Sequence, residues 1–229
     1  MALPERIPSD ESEDDAPKGT PHGSVEFIVV DLETTGTGSR TGDRVTEVAA
    51  VRVQGGVIEP VFHSLVNPGQ PIPYQITSLT GIDDGMVRDA PSFANIAGKL
   101  AAHLARRVFV AHNAPFDWGF LDAEFGRITP GVFSTLVPSR LCTVQLARKL
   151  LSHLPRRNLD AVCWHYGISN DGRHRAAGDA HATARVLVQL LADADRAGLW
   201  SLESLAKHAS GRRPRRRATP RWSEGADGA

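Results

Sequence analysis

The chain has 229 residues, of which 41% are hydrophobic, and its 26 lysines and arginines balance 26 aspartates and glutamates. This length suits one domain with tails, and the composition excludes a wholly disordered chain. No stretch approaches the roughly 18 uninterrupted apolar residues of a membrane helix, and the acidic start is unlike a secretory signal. Two cysteines cannot build a disulfide framework or a cysteine zinc site. We therefore expect a cytoplasmic protein with no membrane partner.

Charge is segregated at the two ends of the chain. Residues 1–23 are rich in acids, whereas residues 209–229 carry six arginines and no acid between positions 212 and 221. Both segments are poor in aliphatic residues and cannot bury enough surface to offset the entropy of ordering. We predict disordered tails around a single domain at 24–208. Two roles fit the arginine-rich tail: attraction of nucleic-acid phosphates, or simple solubility.

The domain opens with three predicted strands. Residues 25–33 form a nearly continuous apolar run rich in valine and isoleucine, which is typical of a central strand buried on both faces. After a loop, two β-rich runs at 45–54 and 57–66 flank Gly55 and Gly56, a two-residue signal for a tight antiparallel hairpin. The pattern predicts a three-stranded meander.

Helices and strands alternate in the rest of the domain. Apolar residues recur at helical spacing over 92–105, just after Pro91, and residues 107–112 form another short apolar strand. Further helices are predicted near 115–126, 143–152, 158–166 and 178–195. A meander followed by alternating helices and strands favours an α/β sandwich of helices around a mixed sheet.

Carboxylates stand at the ends of these predicted elements. Asp31 and Glu33 lie two residues apart at the end of the first strand, so both side chains project from one face. Asp117 falls in the first turn of the helix that follows the fourth strand. Asp179 begins the last helix, five residues after His174. Taken singly, each acid has an ordinary explanation as a solvated strand end or a favourable helix N-terminal charge.

Taken together, the four acids predict a metal site. If they converge at one edge of the sheet, their negative charges repel one another unless they are neutralised by cations or protonated. Two divalent cations carry the matching charge. Oxygen ligands without cysteine select hard ions, Mg²⁺ or Mn²⁺. Two such ions about 4 Å apart can activate a water and stabilise the leaving oxygen of a phosphodiester. Histidine titrates near neutral pH, which suits His174 to accept the proton of that water.

Three sequence blocks, in this order, resemble the DEDD-type 3′–5′ exonucleases of the histidine subclass. They are DLETTG at 31–36, HNAPFD at 112–117 and HRAAGDA at 174–180, supported by ITSLTGI at 76–82 and RNLDAVCWHYGI at 157–168. The resemblance is strongest to the DnaQ-like group, which includes the proofreading epsilon subunit and the exonuclease domain of bacterial DNA polymerase III. It spans about residues 25–195, and all five catalytic positions match the pattern.

The resemblance implies an RNase H-like fold, in which helices flank a mixed five-stranded sheet. It also implies two Mg²⁺ or Mn²⁺ ions. Asp31 would bridge both ions, and Glu33 and Asp179 would hold the ion that carries the attacking water. Asp117 would hold the other ion, and His174 would be the general base.

The resemblance further implies which residues touch nucleic acid. Thr34 would contact the terminal nucleotide near its 3′-hydroxyl. The segment with Leu79 and Thr80 would pack on the terminal base, and Asn113 and Phe116 would line the strand-binding side. The implied ligand is the 3′ end of DNA, single-stranded or frayed, and the implied protein partner is a DNA polymerase subunit.

Three functions remain open from the sequence. The leading one is a metal-dependent 3′–5′ exonuclease that releases nucleoside monophosphates from DNA in proofreading or repair. A 3′–5′ exoribonuclease would use the same chemistry, and the choice between them rests on a 2′-hydroxyl contact that the sequence does not expose. The third is a non-catalytic module that binds a polymerase or nucleic acid. The presence of every catalytic acid argues against that module.

Overall fold

The computed structural model describes residues 19–210, and a mixed five-stranded sheet runs through their centre. The strands are β1 (Phe27–Thr34), β2 (Val45–Gln54), β3 (Val57–Leu65), β4 (Val108–Ala111) and β5 (Ser139–Cys142). Their order is β3-β2-β1-β4-β5. The first three strands pair antiparallel, and β4 and β5 extend the sheet parallel to β1. The predicted α/β class and five-stranded mixed sheet are confirmed.

The hairpin between β2 and β3 turns at the predicted glycine pair. Gly55 and Gly56 have φ of 56° and 82°, a left-handed conformation that glycine adopts without steric cost. Positive φ at both central residues matches the right-handed twist of the flanking strands.

Helices cover both faces of the sheet. They are α1 (Tyr74–Thr80), α2 (Asp84–Val87), α3 (Phe93–Leu104), α4 (Ala114–Ile128), α5 (Val132–Leu136), α6 (Thr143–Leu150), α7 (Leu159–Tyr166), α8 (Ala176–Arg196) and α9 (Leu202–Ser210). The sequence pattern predicted α3, α4, α6, α7 and α8. It did not locate α1, α2, α5, α9 or β5, most of which are too short to show a clear period.

Alternate residues of β1 pack into two separate cores. Phe27 and Val29 belong to the core beneath α6, α7, α8 and α9, whereas Ile28 and Val30 belong to the core beneath α3, α4 and α5. Side chains alternate along a strand, so Asp31 and Glu33, which continue the series of Phe27 and Val29, point toward α8. This register decides the direction in which β1 presents its acids.

Residues just before the predicted start of the domain at residue 24 also contact the domain. Residues 19–23 pack against the end of the domain: Leu202 N donates to Thr20 O at 2.9 Å, and a ring nitrogen of His22 lies 2.8 Å from the Asp195 carboxylate. These contacts compensate the ordering entropy that composition alone predicted to be prohibitive.

The two predicted tails otherwise fall largely outside the structure. Residues 1–18 and 211–229 lie outside the described residues. The arginine-rich tail was predicted to begin at 209, but α9 continues through Ser210. Among the helices of residues 19–210, none combines the length and the apolar character needed to cross a bilayer.

Candidate active site

Three of the four predicted acids meet at the end of β1. Carboxylate oxygens of Asp31, Glu33 and Asp179 lie within 4.8 Å of one another, and all three side chains are partly exposed. Asp31 and Glu33 project from the β1 face that α8 covers, and Asp179 comes from the first turn of α8. We call these three residues the carboxylate cluster. It is open to solvent and can receive a cation.

The fourth acid lies beside the cluster. Asp117 is buried, with 3% of its surface exposed, in the first turn of α4 directly after β4. After burial itself, the Asp117 charge is the largest contribution that raises the pKa of Asp31. The parallel pairing of β1 with β4 brings these two acids to the same edge of the sheet, although they are 86 positions apart in the sequence.

The electrostatics of the site favour a bound cation. Burial, followed by the charges of Asp117 and Asp179, raises the pKa of Asp31 well above its usual range. Burial and the neighbouring Asp179 raise the pKa of Glu33 to about 7. Burial also raises the pKa of Asp117, although backbone hydrogen bonds from its own amide and from Leu32 partly oppose this. Divalent cations would relieve the repulsion, and a purely oxygen donor set fits hard ions.

We expect the stability of the metal-free protein to fall between about pH 4.5 and 7. The pKa of Glu33 is about 7 in the folded state against 4.5 ordinarily, so the folded state binds more protons in this window and loses stability as pH rises. The melting temperature should drop on the order of 5 °C across the window. Mn²⁺ should restore more stability at about pH 8 than at about pH 5.

Glu33→Gln provides the control for this pH dependence. The variant removes the titrating carboxylate, so its melting temperature should change less with pH than that of the wild type. Equal slopes in the two proteins, measured by thermal unfolding with chelator present, would contradict the assignment.

A loop before α8 orients Asp179 through both of its carboxylate oxygens. The Asn170 side-chain amide donates to Oδ1 and the His174 backbone N–H donates to Oδ2, each at 2.9 Å. His174 has φ of 59°, a left-handed conformation that few non-glycine residues adopt. Its ring is partly exposed, so the general-base candidate lies on the segment that fixes a cluster acid.

Two glycines bring this loop into direct contact with α8. A β-carbon on Gly178 would lie 2.1 Å from the carbonyl oxygen of Gly172, and one on Gly172 would lie 2.8 Å from the α-carbon of Gly178. Real β-carbons essentially never approach backbone this closely. The loop therefore reaches its position because neither residue has a side chain.

Gly178→Ala is expected to displace the loop and lower activity. The added methyl group has to push backbone away, which costs about 1–3 kcal/mol of stability and moves both partners of Asp179. Gly98→Ala is a matched control in α3, where an added β-carbon meets nothing within 4 Å, and it should be neutral or stabilising. Urea unfolding and hydrolysis rates measure both effects. Equal behaviour of the two variants would rule out the close contact.

Sequence reasoning missed a buried ion pair beneath the cluster. Glu47 is fully buried on β2, directly opposite Glu33 in the antiparallel register. Its carboxylate accepts two hydrogen bonds from Arg175, at 2.8 and 3.0 Å, and one from the Ala176 amide at 2.9 Å. It also lies 2.7 Å from a ring nitrogen of His63. The network ties the start of α8 to the sheet.

A signal for this pair was present in the sequence. Burial raises the pKa of Glu47, but hydrogen bonds from Arg175 and His63 outweigh burial and lower it overall. A carboxylate inside the apolar run VTEVAAV requires such partners, because an unpaired buried charge is very costly. The acid at this inward strand position therefore predicts a cationic side chain beside it, although the sequence does not show which one.

The turn after β1 is held by its own hydroxyl and carboxylate groups. Thr34 is buried, and its hydroxyl donates to Gly36 O at 2.6 Å. Asp43 accepts hydrogen bonds from Gly38 N at 2.8 Å and from the Thr35 hydroxyl at 3.3 Å. The turn therefore places Thr34 beside the cluster in a fixed conformation.

The predicted base-stacking segment ends α1. Leu79 is 54% exposed, which leaves its side chain free to meet a ligand. Thr80 is instead buried, where its hydroxyl donates to Ile76 O and accepts from Ile82 N. Thr80 thus stabilises the end of the helix that presents Leu79.

The remaining predicted contacts flank Asp117 at the start of α4. Asn113 is exposed and has φ of 75°. Phe116 is partly buried, with its ring centroid 5.0 Å from that of Phe120. The ring nitrogens of His112 lie 2.9 Å from the Thr143 hydroxyl and 3.0 Å from the carbonyl oxygen of Arg157.

Comparison with known proteins matches this arrangement to a family. The family model RNase_T, described as exonuclease, matches residues 28–187, which contain the five positions predicted to be catalytic. The chain belongs to this exonuclease family. Membership implies the use of divalent metal ions, which fits the carboxylate cluster.

Relatives of the exonuclease domain include bacterial replication proteins. It is 40% identical over 165 residues to a DNA polymerase III PolC-type protein of Oceanobacillus iheyensis, a match that covers 72% of this chain and 11% of the relative. It is 38% identical over 176 residues to a DNA polymerase III subunit epsilon-like protein of Rhodobacter capsulatus, a match that covers 75% of this chain and 24% of the relative. The chain therefore spans only a small part of the length of these relatives.

Solved structures share the fold. Exonuclease X in complex with 5′ overhanging duplex DNA aligns with a TM-score of 0.60 and 25% identity, covering 80% of this chain and 99% of that one. The nuclease domain of 3′hExo, a DEDDh family member bound to rAMP, aligns with a TM-score of 0.63 and 19% identity, covering 74% of this chain and 93% of that one. The RNase H-like fold and the resemblance to DnaQ-like exonucleases are confirmed. The chain carries a domain of the DnaQ-like 3′–5′ exonuclease type.

Proposed function

We propose that this chain hydrolyses phosphodiester bonds one at a time from the 3′ end of DNA and releases nucleoside monophosphates. The observation that carries the proposal is the meeting of Asp31, Glu33 and Asp179 within 4.8 Å, with Asp117 beside them. Four acids from three separate segments have no structural need to share one edge of a sheet. Divalent cations would relieve their mutual repulsion while the carboxylates stay ionised.

Two Mg²⁺ or Mn²⁺ ions are the proposed cofactors. Asp31 would touch both, Glu33 and Asp179 would hold one, and Asp117 would hold the other. When bound, such a pair supplies an activated water and stabilises charge on the leaving oxygen. The hydrogen bonds that Asn170 and His174 N make to Asp179 would keep that ligand oriented.

His174 is the proposed general base. Its ring is partly exposed on the loop that holds Asp179 and is therefore accessible to a water beside the cluster. The hydrogen bonds of Glu47 to Arg175 and Ala176 fix the two residues that follow His174. A base held this way can take a proton without reorganising the loop.

The proposed strand-binding surface lies around the cluster. Thr34 would contact the terminal nucleotide near its 3′-hydroxyl, and exposed Leu79 would pack on the terminal base, with Thr80 supporting it. Asn113 and Phe116 would line the path of the strand. An exposed apolar side chain can stack on any base, which suits removal of nucleotides regardless of sequence.

DNA is the proposed substrate because the relatives are DNA polymerase III proteins and a structural neighbour is bound to duplex DNA. A single-stranded or frayed 3′ end would enter the site. Proofreading with a DNA polymerase subunit as partner, or repair, are the proposed settings. The expected cytoplasmic location stays a prediction.

A degradation assay tests the proposal. DNA that is single-stranded, matched or mismatched at its 3′ end is incubated with the protein and Mg²⁺ or Mn²⁺, beside RNA of the same sequence, with Asp31→Ala as control. We expect stepwise release of monophosphates from DNA, fastest at single-stranded and mismatched ends. Faster cleavage of RNA would make it an exoribonuclease. Metal-dependent binding without product would make it a non-catalytic module.

A further inference from the structure

A basic groove lies between β5, α6 and α9. It has a volume of about 1040 Å³. Its lining includes the cationic residues Arg140, Arg148, Lys149, Arg157 and Lys207. Among the lining residues of the described chain there is no carboxylate. We call this feature the basic groove.

The strongest candidates for ligand contact are on the exposed side of α6. Arg148 and Lys149 are both exposed, and neither side chain makes an ion pair or hydrogen bond within residues 19–210. Arg157 differs, because its guanidinium donates to the carbonyls of Leu151 and Ser152 and thereby holds the end of α6. Two adjacent cations without acidic partners favour an anionic ligand.

The groove adjoins the catalytic edge of the domain. Its lining includes Ala114 and Pro115, which open α4 immediately before the active-site acid Asp117. Arg140, which also lines the groove, contacts α4 as well, because its guanidinium lies 4.8 Å from the ring centroid of Trp118. A polyanion that passes the start of α4 can therefore reach both regions.

The sequence continues this charge beyond the groove. Ala209 lines the groove near the end of α9, and six arginines follow between positions 212 and 221. Among the described residues, Ala206, Lys207 and Ala209 of α9 line the groove, so the sequence places these further cations after the last helix that borders it.

From these observations we infer that the basic groove binds the phosphodiester backbone of nucleic acid away from the scissile bond. This rests on the proposed function, since it extends the same ligand past the active site. The occupant is a backbone because cationic side chains and no carboxylate line the groove, and contacts of this kind go mainly to phosphates. Such contacts raise affinity and retain the substrate without entering the chemical step.

The test compares two variants that lose the same charge. Arg148→Gln with Lys149→Gln removes the exposed groove cations. Lys99→Gln with Arg185→Gln is the matched control, because these residues are exposed on α3 and α8 and do not line the groove. Binding of a labelled single strand of about 20 nucleotides, and of a blunt hairpin duplex, is measured by anisotropy over a range of salt with chelator present.

We expect the groove variant to bind on the order of tenfold more weakly, with a salt slope shallower by about 1.4 on single strands, since each phosphate contact contributes about 0.7. The control should match the wild type. If affinity and salt slope change only for the single strand, the groove binds the strand that is degraded. If they also change for the duplex, the groove contacts the complementary strand as well. Equal slopes for the two variants on both ligands would overturn the inference.

Hydrolysis of a one-nucleotide substrate separates this inference from the proposed function. The p-nitrophenyl ester of thymidine 5′-monophosphate is too short to reach the groove. The groove variant should cleave it at the wild-type rate while its KM for the long strand rises several-fold and kcat is unchanged. If the wild type cleaves neither substrate, the proposed function fails, whereas the salt dependence of binding still tests the groove.

Discussion

Replacing Asp31 with asparagine is expected to lower the hydrolysis rate by at least about 10³-fold, because a ligand proposed to touch both ions contributes several kcal/mol to catalysis. The variant should also change stability in a diagnostic way. Burial and the charges of Asp117 and Asp179 raise the pKa of Asp31 in the folded state. The charged carboxylate therefore destabilises the metal-free protein above its ordinary pKa.

Two measurements separate this result from misfolding. In chelator at about pH 8, the metal-free Asp31→Asn protein should melt at a higher temperature than the wild type, because a partly buried charge that neighbouring acids repel has been removed. Added Mn²⁺ should raise the melting temperature of the wild type and have little effect on the variant. Asp122→Asn is the matched control, since Asp122 is exposed on α4. A variant that keeps a tenth of the wild-type rate would contradict the central role of Asp31.

Replacing His174 with alanine is expected to lower the rate by about 10²–10⁴-fold, the usual contribution of a positioned general base. The Mn²⁺-induced rise in melting temperature should persist, because the contact with Asp179 comes from the backbone amide of residue 174 and not from its ring. The ratio of the wild-type rate to the variant rate should decrease as pH rises, since hydroxide increasingly replaces the missing base.

The backbone of residue 174 requires its own control. Its φ of 59° is unfavourable for alanine and better tolerated by asparagine, so His174→Asn tests whether loss of the ring alone accounts for the effect. His103→Ala is the second control, because His103 lies on α3, which packs on the opposite face of the sheet. A wild-type rate for His174→Asn at every pH would remove the general-base role.

The closeness of Asp31 and Glu33 could be predicted from the sequence because local geometry decides it. A strand has a period of two, so Asp31 and Glu33 had to share a face once the apolar run before them was recognised as a strand. Asp117 and Asp179 begin helices that follow predicted elements, and both lie at the expected edge in the structure. The expected roles of these residues stay predictions until variants are assayed.

The supporting groups were harder to predict because each depends on a partner far along the chain. Glu47 and Arg175 are 128 positions apart, and no periodicity relates them. The acid was visible inside an apolar strand, but its partner was one of 26 lysines and arginines. Asn170 and Gly172 stand in a loop whose path depends on contact with α8, which composition does not specify.

By itself, the amino-acid sequence indicated the alternation of strands and helices, the family resemblance and the acids that were expected to share one site. These follow from side-chain periodicity and from residue types that a particular chemistry requires. Only the tertiary structure decided the edge strand β5, the buried Glu47–Arg175 pair and the basic groove between β5, α6 and α9. Those features arise where separate elements pack together, and packing depends on the shape and charge of surfaces that are distant in sequence.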